Sequence, residues 1–131
     1  MKQLTLSTAS RNEYVDITAQ VRAAVKEAHI EEGLCVIYCP HTTAAITVNE
    51  NADPSVFRDI REHLGALVPE GKNYAHAEGN ADAHIKSALF GCAQPVPVTK
   101  GALALGTWQG IFFCEFDGPR KRNVYVQCIK Q

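Results

Sequence analysis

Residues 109–116 read QGIFFCEF, and no other stretch of the chain limits its fold so tightly. A strand turns successive side chains to opposite faces. Gln109, Ile111, Phe113, Glu115 and Asp117 would then share one face, and Trp108, Phe112, Cys114 and Phe116 the other. Both faces carry bulky apolar groups, so the segment is expected as a central strand covered on both sides. Glu115 interrupts this apolar run. A carboxylate buried there must be paired with a cation or point into a cavity, which leaves open an ion pair with Arg120 or Arg122 and a catalytic role.

The elements around that strand are read from periodicity and from turn residues. KQLTLSTA alternates with period two, as a strand does, while DITAQVRAAVKEAHIEEG places Ile17, Val21, Ala24, Val25 and Ala28 at helical spacing and stops at Gly33. LCVIYC and AAITV are short and rich in β-branched residues, which predicts two strands joined near His41. Asp53 followed by Pro54 marks a helix start, the carboxylate capping free amides and the proline pre-set for the first helical position. That helix runs to about Leu67 and buries Val56, Phe57, Ile60 and Leu64. VPEGKNYAHAEGN reads as a loop, and NADAHIKSALFG as a short third helix between a capping Asn80 and a terminating Gly91. From residue 94, QPVPV, ALALGTWQGIFFCEF and RNVYVQCIK read as strands of a meander, divided by TKG and by DGPRKR, a type I or II turn. Strands with segregated helices predict an α+β fold: a single domain over residues 1–131 with a largely antiparallel sheet and about three short helices.

A chain of 131 residues can bury one sizeable core, and 46% hydrophobic with 21% charged residues is ordinary globular usage. The net charge of −1 gives no basic footprint for a nucleic-acid backbone. No apolar run approaches the ~20 residues that span a bilayer, so the expectation is a soluble, cytoplasmic protein with neither nucleic acid nor membrane as partner. Five cysteines, odd in number and without a CxxC, four of them in apolar runs, are expected as reduced core thiols.

Chemistry is carried by few residue types. His41, His76 and His84 fall outside the amphipathic helix faces, whereas His29 and His63 sit among charged neighbours and read as solvated. Three neutral imidazoles with a vacant fourth position suit catalytic zinc, although spacing alone leaves solitary histidines bonded to backbone or water as the alternative. Glu50, Asp53, Asp59, Asp82, Glu115 and Asp117 could serve as a base or hold magnesium, with Asp53 explained equally well as a cap and Asp59 as solvated. Arg120 in DGPRKR is either a solvated turn residue or a bidentate anchor for phosphate or carboxylate, and Thr42, Thr43, Lys86 and Ser87 add donors an anion could use. No phosphate loop of the GxxxxGK[ST] type and no GxSxG is present.

Taken together, PHTTAAITVNENADP, YAHAEGNADAHIKSALFG, PVPVTKGALALGTWQGIFF and EFDGPRKR closely resemble the YjbQ-like family, often labelled secondary thiamine-phosphate synthase enzymes. The resemblance covers nearly the whole chain. It implies an α+β fold with a largely antiparallel sheet, a compact homotrimer, and a pocket on which His41, His76 and His84 converge. It also implies a weak activity joining a pyrimidine diphosphate to a thiazole phosphate with loss of pyrophosphate. On that reading the three histidines bind a divalent metal, zinc, or magnesium where a diphosphate is the substrate. Glu115 or Glu50 orients water or moves a proton, and Arg120 with Thr42, Thr107 and Gln109 anchors a small phosphorylated metabolite. Three imidazoles suit a softer metal better than the carboxylate-held magnesium a diphosphate clamp uses, so a non-catalytic homotrimeric metal- or metabolite-binding protein is the alternative. Trimerisation would also cover exposed sheet edges.

Overall fold

The computed structural model describes residues 1–131. In chain order the elements are β1 (Lys2–Ser7), β2 (Glu13–Asp16), α1 (Thr18–Glu27), β3 (Gly33–Tyr38), β4 (Ala44–Glu50), α2 (Ser55–Leu67), α3 (Ala81–Phe90), β5 (Ala93–Thr99), β6 (Ala102–Leu103), β7 (Gln109–Glu115) and β8 (Lys121–Lys130). The α+β expectation holds, with three helices and antiparallel pairing throughout, but the strands divide between two sheets. One has five strands in the order β1-β8-β3-β5-β6, the other three in the order β2-β7-β4.

The central position expected for QGIFFCEF is what β7 occupies, paired on one side with β2 and on the other with β4. Its two faces build the two parts of the core. Ile111 and Phe113 join Ile37, Ile46, Val96, Val124 and Val126 in the main cluster between the sheets, which α1 closes with Val21 and Val25. Cys114 and Phe116 point the other way, to a smaller cluster with Ala45 and Ala83 under the helices. Phe57 of α2 lies 4.2 Å from Phe112 and Phe90 of α3 lies 5.3 Å from Phe116, ring centre to ring centre. The layers are thus the large sheet, the small sheet and the pair α2 and α3.

Several sequence expectations are corrected. The last strands are not a meander: β5 pairs with β3 and β6, β7 crosses to the small sheet, and β8 returns between β1 and β3. ALALGTWQGIFFCEF is not one strand either, because a turn at Gly106, whose N–H donates to Gln109 Oε1 at 2.8 Å, separates β6 from β7. Helix α1 stops at Glu27 rather than Gly33, with His29 at φ 52° just beyond it. Gly33 opens β3 instead, where a Cβ would lie 2.1 Å from the Ile129 carbonyl oxygen. DGPRKR carries a cis Gly118–Pro119 bond in place of the type I or II turn. The apolar face of α2 is only half buried, with Val56, Phe57, Ile60 and Leu64 all partly exposed.

Helices α1 and α2 are each preceded by a capping aspartate. Asp53 Oδ1 accepts the Ser55 N–H at 2.9 Å, so it caps from one residue outside the Pro54 position. Asp16 does the same for Thr18 at 2.9 Å, and Thr18 Oγ1 in turn accepts the Ile111 N–H at 2.9 Å, fixing the start of α1 to β7.

Candidate functional site

Between β3 and β4 the chain passes from the large sheet to the small one over residues 39–43, and His41 lies on this crossing. The last rung of the β3–β8 ladder pairs Tyr38 with Tyr125. The next donor on β8, the Asn123 N–H, has no strand partner because β3 has ended, and it donates to His41 Nε2 at 2.9 Å. The ring therefore completes the ladder. With Nε2 accepting, the neutral imidazole carries its proton on Nδ1. Burial first and the Arg122 charge second hold this histidine below its usual 6.5, which keeps the ring neutral at pH 7.

His76 and His84 meet edge to face, with ring centres 5.1 Å apart. Asn80 Nδ2 donates to Asp117 Oδ2 at 2.9 Å, which turns Asn80 Oδ1 toward His76 Nε2 at 3.0 Å. An amide oxygen only accepts. His76 must therefore carry its proton on Nε2 and leave the Nδ1 lone pair free. Asn80, expected as a helix cap, makes no side-chain cap bond and orients this histidine instead.

Glu115 and Arg122 form the floor beneath this region. The carboxylate, 0% exposed, accepts from Arg122 Nε at 2.9 Å, from Thr8 Oγ1 at 2.8 Å and from the Asp117 N–H at 3.1 Å. Arg122 Nη2 also reaches Thr43 Oγ1 at 2.8 Å. The cost of burial is the largest single effect on the Glu115 carboxyl, yet the hydrogen bonds from Arg122, Thr8 and the Asp117 N–H, with the Arg122 charge, together outweigh it and hold the group below its usual range. Of the two roles left open for Glu115, the geometry is that of the ion pair, with Arg122 and not Arg120. It joins the small sheet to the large one.

Above that floor lies one polar cleft of about 430 Å³, whose walls are Thr42, Thr43, Glu78, Asn80, Asp117 and Pro40 together with His41, His84, Arg120 and Arg122. Arg120 donates to Asp117 through Nε at 2.9 Å and Nη2 at 3.2 Å, and its side chain is 50% exposed. A second cleft of about 700 Å³ adjoins it, sharing His41, Thr42 and His84 and adding Tyr38, Cys39 and Cys92.

A family model described as UPF0047 protein YjbQ-like matches residues 2–131. The chain belongs to this YjbQ-like family. It is 55% identical to a UPF0047 protein of Methanocaldococcus jannaschii, covering 95% of this chain and 90% of the other. To the UPF0047 protein YugU of Bacillus subtilis it is 50% identical, covering 98% of each. Among solved structures, a YjbQ/UPF0047 family protein of Clostridium acetobutylicum superposes with a TM-score of 0.97 at 49% identity, over 98% of this chain and 100% of that one. A protein of unknown function from Sulfolobus solfataricus gives 0.96 at 35% identity, over 99% and 96%.

Within this YjbQ-like fold, the residues expected at one site separate into two groups. His41, Thr42, His84 and Arg120 share the polar cleft, with His76 beside His84. Glu50, Thr107 and Gln109 do not. Glu50 pairs with Gln109 and Ala44 with Glu115 at opposite ends of the β4–β7 ladder, about 20 Å apart at the rise of a strand. Within one chain, Thr107 and Gln109 therefore lie away from Arg120, and Glu50 lies away from His41. Glu50 binds the Ala52 N–H at 3.0 Å and closes its own loop.

For a metal, His76 and His84 suit two ligand positions, and the outer hydrogen bond from His76 to Asn80 is of the kind that orients ligating imidazoles. The set of three does not fit as it stands, because the lone pair on His41 is taken by Asn123 and no group of three His, Cys, Asp or Glu side chains is arranged to hold an ion. All five cysteines are free thiols, and burial pushes Cys39 up to about 11 and Cys35 up to about 12. Cys35 and Cys39 are therefore protonated at neutral pH.

Proposed function

We propose that the polar cleft binds a small phosphorylated metabolite and performs acid–base chemistry on it. Arg120, Thr42 and the Nδ1–H of His41 hold the anion, while His84, supported by His76, exchanges the proton. The observation that carries this reading is the cleft itself, in which two imidazoles, a half-exposed guanidinium and a hydroxyl share one polar wall. Imidazole is a side chain suited to proton transfer at pH 7, and an arginine suits a phosphate. In this scheme the joining of a pyrimidine diphosphate to a thiazole phosphate is a side reaction of the same cleft.

A second reading is supported by the His76–His84 pair. Here a divalent metal, zinc, or magnesium with a diphosphate substrate, is held by those two rings, and the protein is either a metal-dependent enzyme or a non-catalytic binding protein. When bound, the ion would polarise a phosphoryl oxygen. We further place the chain in a cytoplasmic homotrimer. Support for the assembly comes from the outer face of the large sheet, where Leu34, Val36 and Tyr125 are partly exposed and Tyr38 and Ile129 are 43% and 51% exposed.

Elemental analysis and thiamine-phosphate formation measured on wild type and on His41→Ala, His76→Ala and His84→Ala separate these readings. The acid–base reading expects no stoichiometric metal and at least a ~100-fold fall in turnover for His84→Ala. Stoichiometric metal lost in His76→Ala and His84→Ala favours the second. An unchanged rate in all three variants removes the activity from this cleft.

A further inference from the structure

His84 is shared by three depressions of different chemistry. Toward His41 and Arg120 it faces the polar cleft of about 430 Å³. On its other side, with His76, it lines a recess of about 370 Å³ whose remaining walls are Tyr74, Ala75, Ala81 and Ile85. The hydroxyl of Tyr74 donates to the Pro69 carbonyl at 2.6 Å, so the polar end of that side chain is satisfied and its ring serves as an apolar wall. Ile85 is 39% exposed. A lone exposed isoleucine needs no explanation, but here it shares a recess with Ala81 of α3, with Ala75 and with a tyrosine ring, and all of them border the imidazole pair.

We propose that the ligand is amphipathic, with an anionic end in the polar cleft and an aromatic or aliphatic ring in the Tyr74–Ala81–Ile85 recess, the His76–His84 pair lying at the bond between the two halves. This rests on the reading above that the polar cleft takes a phosphorylated metabolite, and it adds where the rest of that molecule goes. A purely polar metabolite, such as a sugar phosphate, leaves the recess wet and gains nothing from it. A ring bearing a phosphate covers apolar surface on both partners. The two histidines then stand where a proton can reach either the bridging oxygen or the ring substituent, and the recess would shield that proton transfer from water.

The probes are inorganic phosphate and phenyl phosphate, titrated calorimetrically at one ionic strength into wild type, Arg120→Ala and Ile85→Asn. Phenyl phosphate is expected to bind wild type about tenfold more tightly than inorganic phosphate, the gain of taking a ring face out of water. In Ile85→Asn the ratio of the two affinities should fall to about one, and in Arg120→Ala both affinities should fall together. Labelled Ile85 methyl resonances should shift with phenyl phosphate and not with phosphate. Equal affinities in wild type, or a preference that survives Ile85→Asn, overturns the recess while leaving the phosphate cleft standing. Absence of binding by either probe, or binding indifferent to Arg120→Ala, overturns the cleft and with it this proposal.

Discussion

Glu115 is held by four donors, and its removal would strand Arg122, which is 3% exposed, without a counter-charge. Glu115→Ala should therefore destabilise the fold by about 3–5 kcal/mol, read from urea denaturation at pH 7. The pH dependence has a definite sign. A carboxyl held below its ordinary 4.5 stabilises the fold in full above that value and loses the contribution as pH falls through the folded value, so wild type and Glu115→Ala should converge in acid. An equal gap at pH 7 and pH 3 would contradict the assignment. The oddity of this carboxylate was legible from QGIFFCEF alone. Its partner was not, because Arg120 and Arg122 are two apart and alternation treats them alike; what separates them is that β8 begins at Lys121, leaving Arg120 in the turn and Arg122 in the sheet.

At the scale of elements, the aspartates that precede α1 and α2 act alike, each accepting the N–H of the Thr or Ser two residues on. Asp16→Ala should cost about 1 kcal/mol. It should also raise hydrogen exchange at the Ile111 amide, since Thr18 bonds both Asp16 and Ile111; unchanged exchange there would count against the coupling. Helix positions could be read from such local signals. The short β2 could not, and neither could the crossing of β7 into a second sheet, because strand pairing is settled by contacts far apart in sequence. Part of the separation of the expected site residues within one chain was legible in the sequence. Gln109 and Glu115 lie six residues apart on one strand, and a strand of that length spans about 20 Å, too far for both ends to serve one small ligand.

For the molecule as a whole, the core lies between two sheets while the outer face of the larger one presents Tyr38, Tyr125 and Ile129 with no covering layer. Sedimentation at micromolar concentration should return the mass of three copies. Ile129→Arg should shift it toward a single chain while circular dichroism stays native-like, and a monomeric wild type would refute the assembly. Tyr38 also borders the larger cleft, so the exposed sheet and the histidines are contiguous on one side of the molecule. Of the three histidines that the resemblance brings together, His76 touches His84, and His41 shares a cleft with His84. What residue types could not convey was the use to which the lone pair on His41 is put.

That use limits how the site can change. An imidazole at position 41 satisfies the β8 edge where β3 ends and also supplies a cleft wall. An exchange there that alters reactivity also alters the backbone beneath it, unless the newcomer brings an acceptor of similar reach. Variation at this position is thereby confined to a handful of side chains, and any inactive variant lacking such an acceptor will report on strand integrity as much as on chemistry.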